Sequence, residues 1–197
     1  MRNLKTVLLL AALTLTIPAA LLAVDYNIDG SHSEVSFKIR HMGISKVSGR
    51  FDQFEGSFSY DPENPEKSMA HATIQLASVD TDNTDRDDHL KNEDFFHVEK
   101  FPEMSFHGHK VTDADEDGFK LHGELTLHGE TNPVVLDVEV NGLVTDPWGN
   151  DRAGFTANTK INRKDFGLTW TKNLGTGELM VGDKVSITLE IEGIAIK

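Results

Sequence analysis

The chain has 197 residues, no cysteine and a formal net charge of −13 at neutral pH. Nucleic acid and anionic membrane surfaces repel so acidic a protein, which argues against both as partners. The missing thiols exclude disulfides, thiol catalysis, cysteine metal centres and a lipobox.

The first residues read as an export signal. Met1, Arg2, Asn3, Leu4 and Lys5 make a short basic start, residues 6–17 are apolar, and Pro18, Ala19 and Ala20 precede a polar chain beginning near Asp25. The apolar run is short for a membrane span, and an uncleaved anchor is the rival reading. A cut after Ala23 makes residues 1–23 a signal peptide, leaves residues 24–197 as one domain of 174 residues, and places that domain in the periplasm. Loss of Arg2 and Lys5 takes the formal charge from −13 to −15. A domain of this size can bury a core without disulfides. No later segment is long and apolar enough to cross a bilayer, so no stable span is expected after cleavage.

Period-two alternation dominates the chain beyond residue 34. Val35, Phe37 and Ile39 alternate with Ser36, Lys38 and Arg40, and a further strand is expected over residues 51–60. After the turn residues 61–65, Ala70, Ala72, Ile74 and Leu76 alternate with polar neighbours. One helix interrupts the strands over residues 83–91. It is expected to be capped by the Thr84 hydroxyl, with Asp87 three residues later, acids in the first turn and Lys91 at the end. Phe95 and Phe96 are expected to tuck under the sheet. Further strands are expected over residues 104–111, 119–128, 136–140, 154–161 and 185–191, separated by turns at 113–118, 129–133 and 146–151, with a short helical turn at 162–165. Clean in–out alternation belongs to antiparallel sheets, and no helices alternate with the strands. The expected fold is all-β: a single antiparallel barrel of about eight strands with one or two short helices.

Candidate chemistry is sparse. His107 and His109 lie two apart on one strand, a spacing that can hold a metal, but neither has an obvious carboxylate partner. His122 and His128 fall between apolar positions and are expected to face solvent. The run 113–118 superficially resembles a calcium loop but lacks the later glutamate, so it reads as a solvated turn. Ser31 and His32 are adjacent on an extended segment and point apart. No catalytic residue, metal site or cofactor is expected. The dry face is the informative feature: Phe37, Ile39, Phe51, Phe58, Ile74, Leu76, Phe106, Leu125, Leu127, Val138, Phe155 and Ile161. An eight-stranded barrel is wide enough either to fill with side chains or to hold one ligand. Small inward residues, Ala70, Ala72, Gly123 and Ala157, would leave room for the second.

The segments running from Ile28 to Gly43 and from Val47 to Phe51 resemble the opening of the YceI-like family. The run from Thr81 to Leu90, with Asp94, Phe95, Phe96, Phe101 and Pro102, is similar to its middle signature. Residues 123–129 with Pro133 and Val134, and 161–167, resemble its later hairpin and late turn. The segment Trp170 to Gly177 stands outside the pattern and could form part of a barrel mouth. The resemblance implies a lipocalin-like periplasmic barrel that binds a polyisoprenoid, such as a prenyl diphosphate or a quinone. Phe37, Arg40, His41, Arg86 and His89 match motif positions near the barrel, and Arg40, Arg86, Arg152 or Lys164 could neutralise a head group. The site then comprises the twelve dry-face residues with Arg40, Arg86 and His89. The expected function is binding or carriage of the lipid without catalysis, and the reading leaves room for a homodimer. The alternatives are an enzyme acting on an isoprenoid and a filled barrel that acts as a structural or stress protein.

Overall fold

In the computed structural model, which describes residues 23–173 and 179–197, the wall is an antiparallel meander with two interrupted strands. Strands β1 (Val24–Ile28) and β2 (Glu34–His41) run in the same direction along one long partner, β11 (Val181–Ala195). The break between them is a polar turn in which Asp29 accepts from the Ser31 N–H and His32. β3 (Ser45–Phe51) and β4 (Phe54–Tyr60) likewise continue one another, pairing with β2 and β1 respectively. The ring closes through β5 (Met69–Gln75), β7 (Glu103–Thr112), β8 (Gly118–Leu127), β9 (Glu130–Thr145) and β10 (Asp151–Asn162) back to β11. The two-residue β6 (Val79–Asp80) extends the β3 edge. Counting each interrupted strand once, eight strands form a closed barrel with no free edge along most of its length.

Alternation reads cleanly on β8, where Phe119, Leu121, Gly123, Leu125 and Leu127 are buried and each intervening residue is more exposed. The expected turn at 129–133 is shorter and earlier. The β8–β9 connection is the two-residue pair His128–Gly129, both at positive φ, and β9 starts directly after it. Pro133 therefore lies inside a strand, where β9 has only β8 in register beside it.

The helix α1 (Thr84–Lys91) is where the sequence places it, but its cap differs. Asn83, not Thr84, is the N-cap: its Oδ1 accepts the Arg86 N–H at 2.9 Å. Asp87, expected to close the capping box, is buried and accepts instead from the Thr81 N–H at 2.9 Å and its hydroxyl at 2.6 Å. Those bonds tie α1 to the end of β6. The expected turn after β10 is present over Arg163–Phe166, with Asn162 accepting from the Lys164 N–H.

The barrel interior has two unlike ends. At one end aromatic rings fill it: Tyr26 stacks on Phe58 at 4.9 Å, and Phe155 meets Phe58 and Tyr60 edge-on at 5.2 and 5.1 Å. Phe119 closes that layer beside Tyr60. At the α1 end, the inward residues Phe37, Ile39, Val47, Phe106, Ile161 and Ile187 are only half-buried. Apolar side chains that point into a closed barrel yet remain accessible face a hollow.

Candidate functional site: an apolar hollow under the helix

The hollow is a cavity of about 310 Å³, within the size range of small-molecule sites. It runs beside β2 from Val35 to His41, a span of about 20 Å at about 3.3 Å per residue. Phe51 forms one side, touching Phe37 at 5.6 Å and Phe96 at 5.8 Å between ring centres. Phe95 and Phe96, expected under the sheet, follow α1 in the chain, are both buried and line the cavity. At the mouth, Trp170 packs on Phe95 at 5.1 Å and edge-on against His89 at 5.0 Å.

Most of the sequence-derived site residues come together here. Phe37 and Ile39 line the hollow from β2, Phe51 from β3, Ile74 from β5, Phe106 from β7, Leu125 and Leu127 from β8, and Ile161 from β10. Arg40 sits on the rim, and α1 contributes Arg86 and His89. Four candidates lie elsewhere. Phe58, Val138 and Phe155 belong to the filled aromatic end, because the same dry face runs the whole barrel length while only one end is hollow. Leu76, fully buried, packs in the short turn after β5 rather than on the cavity wall.

The small inward residues do not create the space as expected. A Cβ on Gly123 would stand 2.5 Å from the Phe106 ring, so an aromatic ring from the neighbouring β7 already occupies that gap. Ala157 is packed in the core, whereas Ala72 does line the hollow.

Several lining residues fall outside the sequence-derived set. Val185, Ile187, Leu189 and Ile191 face the hollow from β11, and their alternation is legible in the sequence. Val47, Phe54, Met104, Leu168 and Met180 carry no comparable signal. Of the expected mouth segment, Trp170 lines the cavity, while residues 174–178 lie outside the described residues. The signal peptide likewise lies outside them, except for Ala23.

Polar groups at the rim are few and mostly held. The Arg86 guanidinium donates through Nε to the Thr81 hydroxyl and through Nη2 to the Thr81 carbonyl, both at 2.7 Å. Its Nη1 makes no protein hydrogen bond among the described residues, and the side chain lines the cavity. Arg40 donates to the Gly43 carbonyl at 2.9 Å. Arg163, 3% exposed, donates to the carbonyls of Leu168, Gly182 and Val181, clamping the segment after β10 to the start of β11. Burial lowers its pKa, opposed by Asp183. The other two expected head-group cations are engaged away from the hollow. Arg152 is bonded to Asp29, Asp146 and Glu192, and Lys164 to Asp183. No aspartate or glutamate lines the cavity among the described residues, and His89 pairs with Asp94 outside it at 3.0 Å. Among those residues, no acid–base pair converges on the interior.

The remaining histidines are not uniformly solvent-facing. His128 is half-buried against Phe101, with ring centres 4.6 Å apart, and burial lowers its pKa. His122 shares a 2.8 Å hydrogen bond with the Thr112 hydroxyl.

The YceI-like domain model matches residues 26–193. A UPF0312 protein of Serratia proteamaculans is 41% identical over 196 residues, covering 98% of each chain. Two solved structures share the barrel. BcnA of Burkholderia cenocepacia has a TM-score of 0.74 at 23% identity, covering 84% of this chain and 98% of its own. A polyisoprenoid binding domain from Saccharophagus degradans has a TM-score of 0.65 at 16% identity, covering 88% of this chain and 99% of its own.

Proposed function

This chain belongs to the YceI-like family, and on that premise we propose that it binds the tail of an isoprenoid lipid in the hollow end of its barrel. The observation that carries the reading is the cavity itself: elongated, walled by aliphatic and aromatic side chains, and free of lining carboxylates among the described residues. Such a wall recognises a hydrocarbon by area alone. Each methylene transferred from water contributes about 0.8 kcal/mol, so ten buried carbons supply roughly 8 kcal/mol against the cost of ordering the tail. One fold neighbour is a polyisoprenoid binding domain, which supports the ligand class.

A diphosphate or quinone head stays at the rim in this reading. Arg86 is the best-placed cation, because two bonds to Thr81 fix its guanidinium before any ligand arrives. Arg40 is the second. The lack of a converging acid–base pair among the described residues supports binding or carriage rather than turnover. The basic start, apolar stretch and Ala23 support export to the periplasm.

The test is native mass spectrometry of protein purified without detergent. The expected result is a bound species of isoprenoid mass, or uptake of an added prenyl diphosphate or quinone. Protein that carries no lipid and takes up neither compound overturns the proposal in favour of an empty structural barrel.

A further inference from the structure

We propose that His71, His107 and His109, with Glu124 beside them, bind a zinc- or copper-type divalent cation on the outer wall of the barrel. The sheet register builds the site. His71 on β5 stands directly opposite His107 on β7, and His107 stands opposite Glu124 on β8. All three are exposed, while Ala72, Phe106 and Leu125 beside them in the chain face inward. Directly opposed residues on neighbouring strands hold their Cβ atoms about 5 Å apart.

His109 joins the row through a bulge. The register slips between Gly108 and Lys110, so Lys110 takes the place opposite His122 and His109 has no backbone partner on β8. Its ring lies nearly parallel to that of His107, at 25°, with centres 6.1 Å apart, and the His71 ring is 6.2 Å from His107 on the other side. His107 thus sits between two imidazoles. Two nitrogens on a tetrahedral zinc are about 3.4 Å apart, given bonds of about 2.1 Å. Rotation of exposed side chains about χ1 and χ2 closes rings at this spacing to that separation.

The donors are also unspent. None of the three histidines forms an ion pair among the described residues, and His71 and His107 make no side-chain hydrogen bond there. His109 Nδ1 lies 3.4 Å from the His107 carbonyl, an arrangement that turns Nε2 outward as the ligand atom. Imidazole nitrogens with one carboxylate suit zinc or copper better than magnesium or calcium. The strongly acidic chain raises the local concentration of any cation. Among the described residues, Asp29, His32 and Glu192 are the group whose donor atoms already lie within 4.8 Å of one another, whereas the histidine row must turn its rings together. Arg152 Nη1 nevertheless bonds both of those carboxylates, which makes that cluster the poorer site.

The site uses no cavity-lining residue, so it stands or falls independently of lipid binding. The test uses tag-free mature protein and zinc ions in competition with a chromogenic chelator, then electron paramagnetic resonance of the copper-loaded form. One equivalent of zinc is expected. His71→Ala and His107→Ala should each weaken binding at least tenfold, and His32→Ala should leave it unchanged. Copper should show nitrogen hyperfine splitting that the His71→Ala/His107→Ala double variant loses. Circular dichroism checks that these exposed substitutions leave the barrel folded. Binding of less than one equivalent, binding unaffected in the double variant, or loss on His32→Ala overturns the site.

Discussion

Phe37 lies against Gly49, its partner directly across the β2–β3 pair, so closely that a Cβ on Gly49 would stand 2.5 Å from the ring. The glycine gives the ring its seat, and the ring in turn forms part of the cavity wall. The Gly49→Ala variant should push Phe37 into the hollow. Overpacking of this kind typically costs about 1–3 kcal/mol, to be read from the denaturant midpoint. The same variant should retain less lipid than the parent after detergent-free purification.

Leu127, 4% exposed, lines the hollow from β8. Leu127→Trp should fill free volume at a cost of about 1–3 kcal/mol and give a folded protein that copurifies with less lipid. Leu125→Asp is the harsher change. It places an unpaired carboxylate among apolar side chains, at several kcal/mol unless the group stays protonated. A Leu127→Trp protein that binds as much prenyl compound as the parent would place the ligand elsewhere.

Asp87 and Arg86 both converge on Thr81 and fix α1 over the mouth. Asp87→Ala leaves the buried Thr81 N–H and hydroxyl without their acceptor, a loss of about 1–3 kcal/mol. Hydrogen exchange should then rise over α1 while the β8 and β10 amides stay protected. Uniform deprotection would show that α1 is not a separable unit.

Acid should weaken the filled end. His32 and then Arg152 draw the Asp29 carboxyl down from 3.8 to about 2, and backbone N–H groups of the 146–150 turn together with Arg152 lower Asp146 as well. A carboxylate whose folded pKa is depressed stabilises the fold fully above its unfolded value and loses that contribution as pH falls through the folded one. Thermal stability should therefore decline between pH 3.8 and about 2, and Arg152→Met should flatten that decline. An unchanged slope in the variant would show that Arg152 does not carry the coupling.

The alternation of β8 and the long apolar–polar rhythm of β11 are legible in the sequence because strand side chains alternate faces whatever lies across the barrel. The antiparallel barrel and the strand-borne part of the cavity wall derive from that local rule, while the place of α1 follows from a capping residue, first-turn acids and a terminal lysine. Which end is hollow does not. Phe155 and Phe106 are alike in sequence, both inward phenylalanines on alternating strands. Phe155 meets Tyr60 and Phe58 across the barrel, while Phe106 leans over Gly123 and leaves the volume beyond it open. The pairing of His71 with His107 is likewise a fact of register between strands separated by a helix. Local chemistry determined which face of each strand is dry. Only the tertiary structure decided which rings meet, because that depends on the shear and closure of a ring of strands far apart in the chain.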